Sequence, residues 1–147
     1  MTIIQDHLDG NHCYGCGKEN PHGLHIKSHW DGETSVCTYS PKPQQCAGPT
    51  TILYGGLIAS LIDCHSVGTA IAHFYNSEGR EVGEPPEIWC VTGRLTVNYL
   101  KPTPIDQPVE LRDRAQEIVI RPPPHPRVQQ RLRGFVRGIG PQLPHLF

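Results

Sequence analysis

The chain has 147 residues, with 13 Lys and Arg against 14 Asp and Glu for a formal net charge of −1; the length suits one domain, and the balance argues against a nucleic-acid or other general polyanion binder. Its 37% hydrophobic content can supply a core, which excludes wholesale disorder. With no unbroken apolar run of about 18 residues no membrane span is expected. Met1 to Gly10 is acidic and lacks an apolar stretch, so it does not read as a secretory signal, and the six cysteines read as reduced thiols of a cytoplasmic protein. The charge is unevenly divided. Residues 1–117 hold 14 acids and 8 bases, or −6, whereas residues 118–147 hold five Arg, no acid and six of the 15 prolines.

From Asn11 the chain runs NHCYGCGKENPHGLHIK, and Gly15, Gly17, Pro21 and Gly23 make this a loop. An extended run can begin at Leu24, Ile26 and Ser28. Thr34 to Ser40, after the Asp31-Gly32 turn, is β-branched and alternating and predicts a strand. Pro41 to Pro49 is loop. Gly55 to Tyr75 carries Leu57, Ile58, Leu61, Ile62, Val67, Ile71 and Phe74 at helical spacing. Ala59, Cys64, Ala70 and Ala72 fill much of the remaining surface, which predicts a long helix buried on most sides. Asn76 to Pro86 turns. Ile88 to Leu100 alternates, with Trp89, Val91, Leu95, Val97 and Tyr99 on one face and Thr92, Arg94, Thr96 and Asn98 on the other, and predicts a long strand with one buried face. Lys101-Pro-Thr-Pro104 ends it. Val109 to Ala115 predicts a further strand. Pro122 to Pro126 excludes helix and central strand, and Arg127 to Ile139 fits a returning strand and a solvated basic segment equally well. One long helix among several strands is an α+β arrangement, with the sheet wrapped against the helix.

Asp63 is the carboxylate of the buried helix, two turns after its Gly55-Gly56 start. Burying such a charge without partners is costly, so Asp63 either sits at a polar edge or does chemistry. Two glycines at a helix start admit a ligand close to the backbone, where the first N–H groups form a partial positive pole. Such donors polarise a carbonyl, and a carboxylate can attack it or activate water. His65 points away from Asp63 on a helix and reads as structural; Cys64 reads as core. Cys13 and Cys16 with His12, His22 and His25 lack a second Cys pair, so the loop reads as packed by small residues and no metal is expected. The arginines of the tail read as a solvated face.

The run Leu53 to Ala70, LYGGLIASLIDCHSVGTA, resembles the helix of hotdog-fold thioesterases, most of all the phenylacetic-acid-degradation-type branch, in which two glycines precede an Asp by six intervening residues. Val91 to Pro104, VTGRLTVNYLKPTP, is similar to a strand of the same family, and CYGCGKENPHGL to a Cys-rich loop of one sub-branch. The resemblance covers residues 12–117. It implies a hotdog fold, a curved antiparallel sheet around one central helix, in homodimers or homotetramers with sites at the subunit interface. It implies an acyl-CoA substrate, less often an acyl carrier protein thioester, and no cofactor. Asp63 would be nucleophile or general base, the Gly56 N–H would bind the thioester oxygen, and Thr92 would hold the water or the carboxylate. Tyr54 and Gly55 would contact substrate, Tyr54 standing where the family often has His or Asn. Residues 118–147 do not resemble the family's closing strands, so they are expected to be a divergent end to the domain of residues 1–117. Three other readings stay in view: a non-catalytic acyl-CoA-binding hotdog protein, a hydroxyacyl dehydratase (which would want a His and a Glu), and a small zinc-loop module.

Overall fold

The computed structural model describes residues 1–115 and the backbone of residues 118–121 and 131–134. Strands Thr2–Ile3 (β1), His29–Trp30 (β2), Ser35–Tyr39 (β3) and Val109–Asp113 (β4) form an antiparallel sheet in the order β1-β2-β3-β4. The register of β3 with β4 is complete, from Ser35 opposite Asp113 to Tyr39 opposite Val109. Both strands alternate strictly: Ser35, Cys37 and Tyr39 are buried, as are Val109, Leu111 and Asp113. These are the strands their alternation predicts, each trimmed at its ends.

The helix spans Gly55–Ser77 (α1), 23 residues. By length and apolar content it would also suffice to cross a bilayer, although no unbroken apolar run marks it; here it packs on the sheet, as the core helix of an α+β unit. Its N-terminal half contributes Leu57, Leu61 and Cys64 to an apolar cluster with Cys37, Leu53 and Leu111. Its C-terminal half contributes Ile71, Phe74 and Tyr75 to a second cluster with Ile4, Leu8 and Trp30.

A polar layer crosses the helix between the two clusters. Gln5, Ser28, Ser35, His65, Ser66, Thr69 and Asp113 are all buried, and burial without partners would be costly. Ser28 Oγ accepts from Gln5 Nε2 (3.1 Å) and lies 2.8 Å from His65 Nδ1; Ser35 Oγ lies 3.3 Å from His65 Nε2. Thr69 Oγ1 donates to the His65 carbonyl (2.8 Å) and is hydrogen-bonded to Ser35 Oγ. One neutral tautomer of His65 satisfies every bond. Thr69 spends its hydrogen on the carbonyl, so Ser35 must donate to Thr69 and accept from His65 Nε2–H. Ser28 then donates to a bare Nδ1. The bonds thus fix the Nε2–H tautomer of the neutral ring, and burial, which disfavours the charged ring, keeps the His65 pKa down at about 4.

Two parts of the chain depart from expectation. Ile88 to Leu100 forms no strand, and although Cys90 joins the core, the face expected to be buried is not: Trp89 is 37% and Tyr99 56% exposed, and Leu100 beyond them 85%. Thr92 and Tyr99, seven residues apart, both bond to α1, whereas in a regular strand residues seven apart face opposite sides. The alternating pattern therefore yields to two side-chain anchors in a segment with no ladder neighbour among the described residues. In the tail, Ile118–Arg121 (β5) pairs antiparallel with Arg131–Gly134 (β6), in a two-stranded sheet separate from the first. A strand does return inside the basic segment, but not beside Val109–Asp113. Pro122 to Pro126 lies outside the described residues.

Candidate functional site

The chain enters α1 through Tyr54, whose carbonyl takes the Leu57 and Ile58 N–H groups (3.0 and 3.2 Å). The Gly55 and Gly56 N–H groups, the first two of the helix, find no acceptor among the described residues and belong to its positive end. The Tyr54 side chain does not cap the helix. Its ring lies over Gly56 so closely that a Cβ there would fall 2.4 Å from the ring, so only glycine fits beneath it without the ring moving. Tyr99 covers Gly55 from the other side and donates its hydroxyl to the Gly55 carbonyl at 2.8 Å. The tyrosine at the family's His or Asn position thus lies over Gly56, and a second tyrosine, expected on a buried strand face, lies against Gly55.

Two turns further along, Asp63 is half-buried and accepts a hydrogen bond from the Thr92 hydroxyl. The two side chains expected to act together are therefore in contact. They border a cleft whose walls are Ser66, Val67 and Ala70 of α1 and Cys90 to Leu95 of the opposite segment. The cleft encloses about 40 Å³, room for a few water molecules and too small for an acyl chain. Asp63 and Gly56 are not brought together. Seven residues at roughly 1.5 Å each separate them by about 10 Å along one helix.

Behind Asp63 the helix meets the Cys-rich loop. Cys13, Cys16 and Cys64 bring their sulfurs within 4.8 Å of one another, and Cys13 Sγ lies 3.6 Å from Cys64 Sγ. Cys64 is buried as core, but it is not merely core. Gly15 makes the approach: a Cβ on it would lie 2.3 Å from Cys64 Sγ. Hydrogen bonding from the Cys64 thiol, helped by Asn11 and Cys13, draws the Cys16 pKa down to about 6, while the Cys64 thiol beside it is pushed up. His12, His22 and His25 are exposed and take no part. The sequence signal for Cys64 was available only as the tight glycine spacing in CYGCG, which says that the loop packs closely without saying against what.

The fold is similar to that of a thioesterase superfamily protein from Shewanella loihica, with 36% sequence identity and a TM-score of 0.51, over 76% of this chain and 81% of that one. No protein-family model and no curated protein matches the chain. With one long helix packed on an antiparallel sheet, and with more than a third of the aligned residues identical to that chain, the protein belongs to the thioesterase superfamily and has its hotdog fold.

Proposed function

We propose that the protein hydrolyses acyl-CoA thioesters, as a member of the phenylacetic-acid-degradation-type branch acting in the cytoplasm. The observation that carries this reading is the Thr92 hydroxyl on the Asp63 carboxylate at the mouth of a water-sized cleft. That contact fixes one carboxylate oxygen and leaves the other to take a proton from water, or to attack. Hydrolysis also needs a donor for the oxygen of the thioester carbonyl, within about 3 Å of where the negative charge develops. Gly56 of the same chain is about 10 Å away by helical rise. A second copy of the chain, antiparallel at this site, would bring its own Gly56 N–H to the thioester that Asp63 attacks, so the reading includes a homodimer or a homotetramer. The second copy would also enlarge a cleft that one chain leaves too small for an acyl group. No cofactor takes part in this chemistry.

The test is a panel of acyl-CoAs and acyl carrier protein thioesters with a thiol-detecting reagent. Asp63→Asn is expected to lower kcat by about 10²–10⁴-fold, the range for losing a positioned base, with circular dichroism unchanged. Full turnover in that variant would overturn the mechanism. Tyr54 favours a second reading, because its ring lies over Gly56 where the thioester would approach: a hotdog protein that binds acyl-CoA without cleaving it. Saturable acyl-CoA binding with no turnover by the unmutated protein would establish that reading instead.

A further inference from the structure

We propose that Cys13, Cys16 and Cys64 form a three-thiolate binding site for a zinc ion, joining the Cys-rich loop to the central helix beside Asp63. Zinc–sulfur bonds of about 2.3 Å at tetrahedral angles put sulfurs about 3.8 Å apart. The three sulfurs here lie within 4.8 Å of one another, and one pair is at 3.6 Å, so small rotations suffice to close them on an ion. Thiolate selects zinc over hard cations such as calcium or magnesium. Cys13 is exposed and Cys64 buried, so the fourth position faces outward, open to water or an exogenous ligand, as three-ligand zinc sites require.

The surroundings are built for these sulfurs. Asn11 is buried, and its side chain bonds to both loop cysteines: Oδ1 accepts from the Cys13 N–H at 3.0 Å, and Nδ2 donates to Cys16 Sγ at 3.7 Å. Such outer groups orient the ligands of a metal. Gly17 closes the turn, its N–H donating to the Cys13 carbonyl at 2.8 Å, and a Cβ on it would lie 2.4 Å from the Cys13 nitrogen. Gly15 does the same service toward Cys64. On binding, each ligating thiol releases its proton to solvent; no electron is transferred.

The experiment uses the full chain, reduced and stripped of metal by a chelator without air. Titration with Zn²⁺ alone is expected to bind one equivalent and to protect Cys13, Cys16 and Cys64 from iodoacetamide, mapped by mass spectrometry. The half-buried Cys46, distant in sequence, is the internal control and is expected to react equally with and without zinc. Co²⁺ in place of Zn²⁺ is expected to give sulfur-to-metal charge-transfer absorption, lost in Cys64→Ser and kept in Cys46→Ser. Asn11→Ala should weaken binding by about 10–100-fold, as loss of an outer partner does. The protection experiment needs no variant, so a Cys64→Ser chain that fails to fold leaves the proposal testable. Equal alkylation of Cys13 with and without saturating Zn²⁺ overturns it, as does a Cys13–Cys64 disulfide in place of metal in protein isolated without air. Neither result depends on thioesterase activity.

Discussion

The hydrogen-bonded layer around His65 makes stability depend on pH in a window that can be calculated. Unfolding frees the imidazole to titrate at its ordinary 6.5, whereas burial holds it at about 4 in the folded chain. Between those values the unfolded state binds the extra proton, so stability rises with pH and is lost as pH falls from about 6.5 towards 4. At about 1.4 kcal/mol per pKa unit the loss approaches about 3 kcal/mol, a large part of the stability of a domain this size. The bonds point in the same direction. A proton on Nδ1 removes the acceptor of the Ser28 hydroxyl, whose oxygen already accepts from Gln5, so Ser28 must turn its hydrogen away from the ring. Asp113 opposes the trend. Burial raises its pKa, with the Ser66 hydroxyl and the Arg114 N–H partly offsetting it, and a raised carboxyl favours the folded state as pH falls. Urea unfolding of the unmutated chain, Asp113→Asn and His65→Gln from pH 7.5 to 4 separates the two. Asp113→Asn should steepen the fall below pH 6.5, and His65→Gln should flatten it whatever it costs at pH 7.5. The same slope in His65→Gln as in the unmutated chain would refute the assignment of the layer to a neutral histidine.

Three further substitutions test the packing. Gly15→Ala puts a methyl 2.3 Å from Cys64 Sγ, in a place where buried helix and loop backbone leave little slack; a loss of about 1–3 kcal/mol, the usual cost of overpacking, should appear as a lower urea midpoint. Tyr75→Phe strips the buried hydroxyl that accepts the Ile88 N–H at 3.0 Å, and the orphaned donor should cost about 1–3 kcal/mol while the Arg80 guanidinium stays over the ring. Gly56→Ala meets only the exposed ring of Tyr54, which can swing aside, so its melting temperature should hold while thioester turnover falls; unchanged turnover would remove Gly56 from the site.

What the sequence made legible was set by how locally each feature is determined. The helix at Gly55 and the strands over Ser35–Tyr39 and Val109–Asp113 follow from side-chain periodicity, which reports the face each element buries. Gly55, Gly56 and Asp63 share one helix, so their spacing alone places them. Thr92 was legible through its resemblance to a family strand, and its hydroxyl does reach Asp63. Three features were not legible. Cys64 meets Cys13 across a separation of 51 residues, and no local pattern encodes that distance. The polar layer draws Gln5, Ser28, Ser35 and His65 from four separate segments, each of which reads locally as an ordinary polar residue. The alternation from Ile88 to Leu100 predicts burial correctly only where something covers the segment.

That last case bears on how the site is assembled. Trp89, Val91, Tyr99 and Leu100 are exposed large apolar side chains within twelve residues, and the polar residues between them include Thr92, which is spent on Asp63. Beyond Cys90, the segment has no ladder neighbour among the described residues, an arrangement that invites pairing with another strand. The segment also forms one wall of the cleft at Asp63. Covering it with a second copy would therefore bury the apolar side chains, pair the backbone and close the cleft in one step, and would bring a foreign helix start, with its two free glycine N–H groups, to the carboxylate that its own glycines cannot reach. The dimer and the active site are then one proposition. Sedimentation should show a dimer or larger at the concentrations at which thioester is turned over, and Leu100→Glu, which places a charge on the segment outside the cleft at Asp63, should lower association and turnover together; turnover at full rate by a protein that sediments as a monomer would separate the two and refute the shared site.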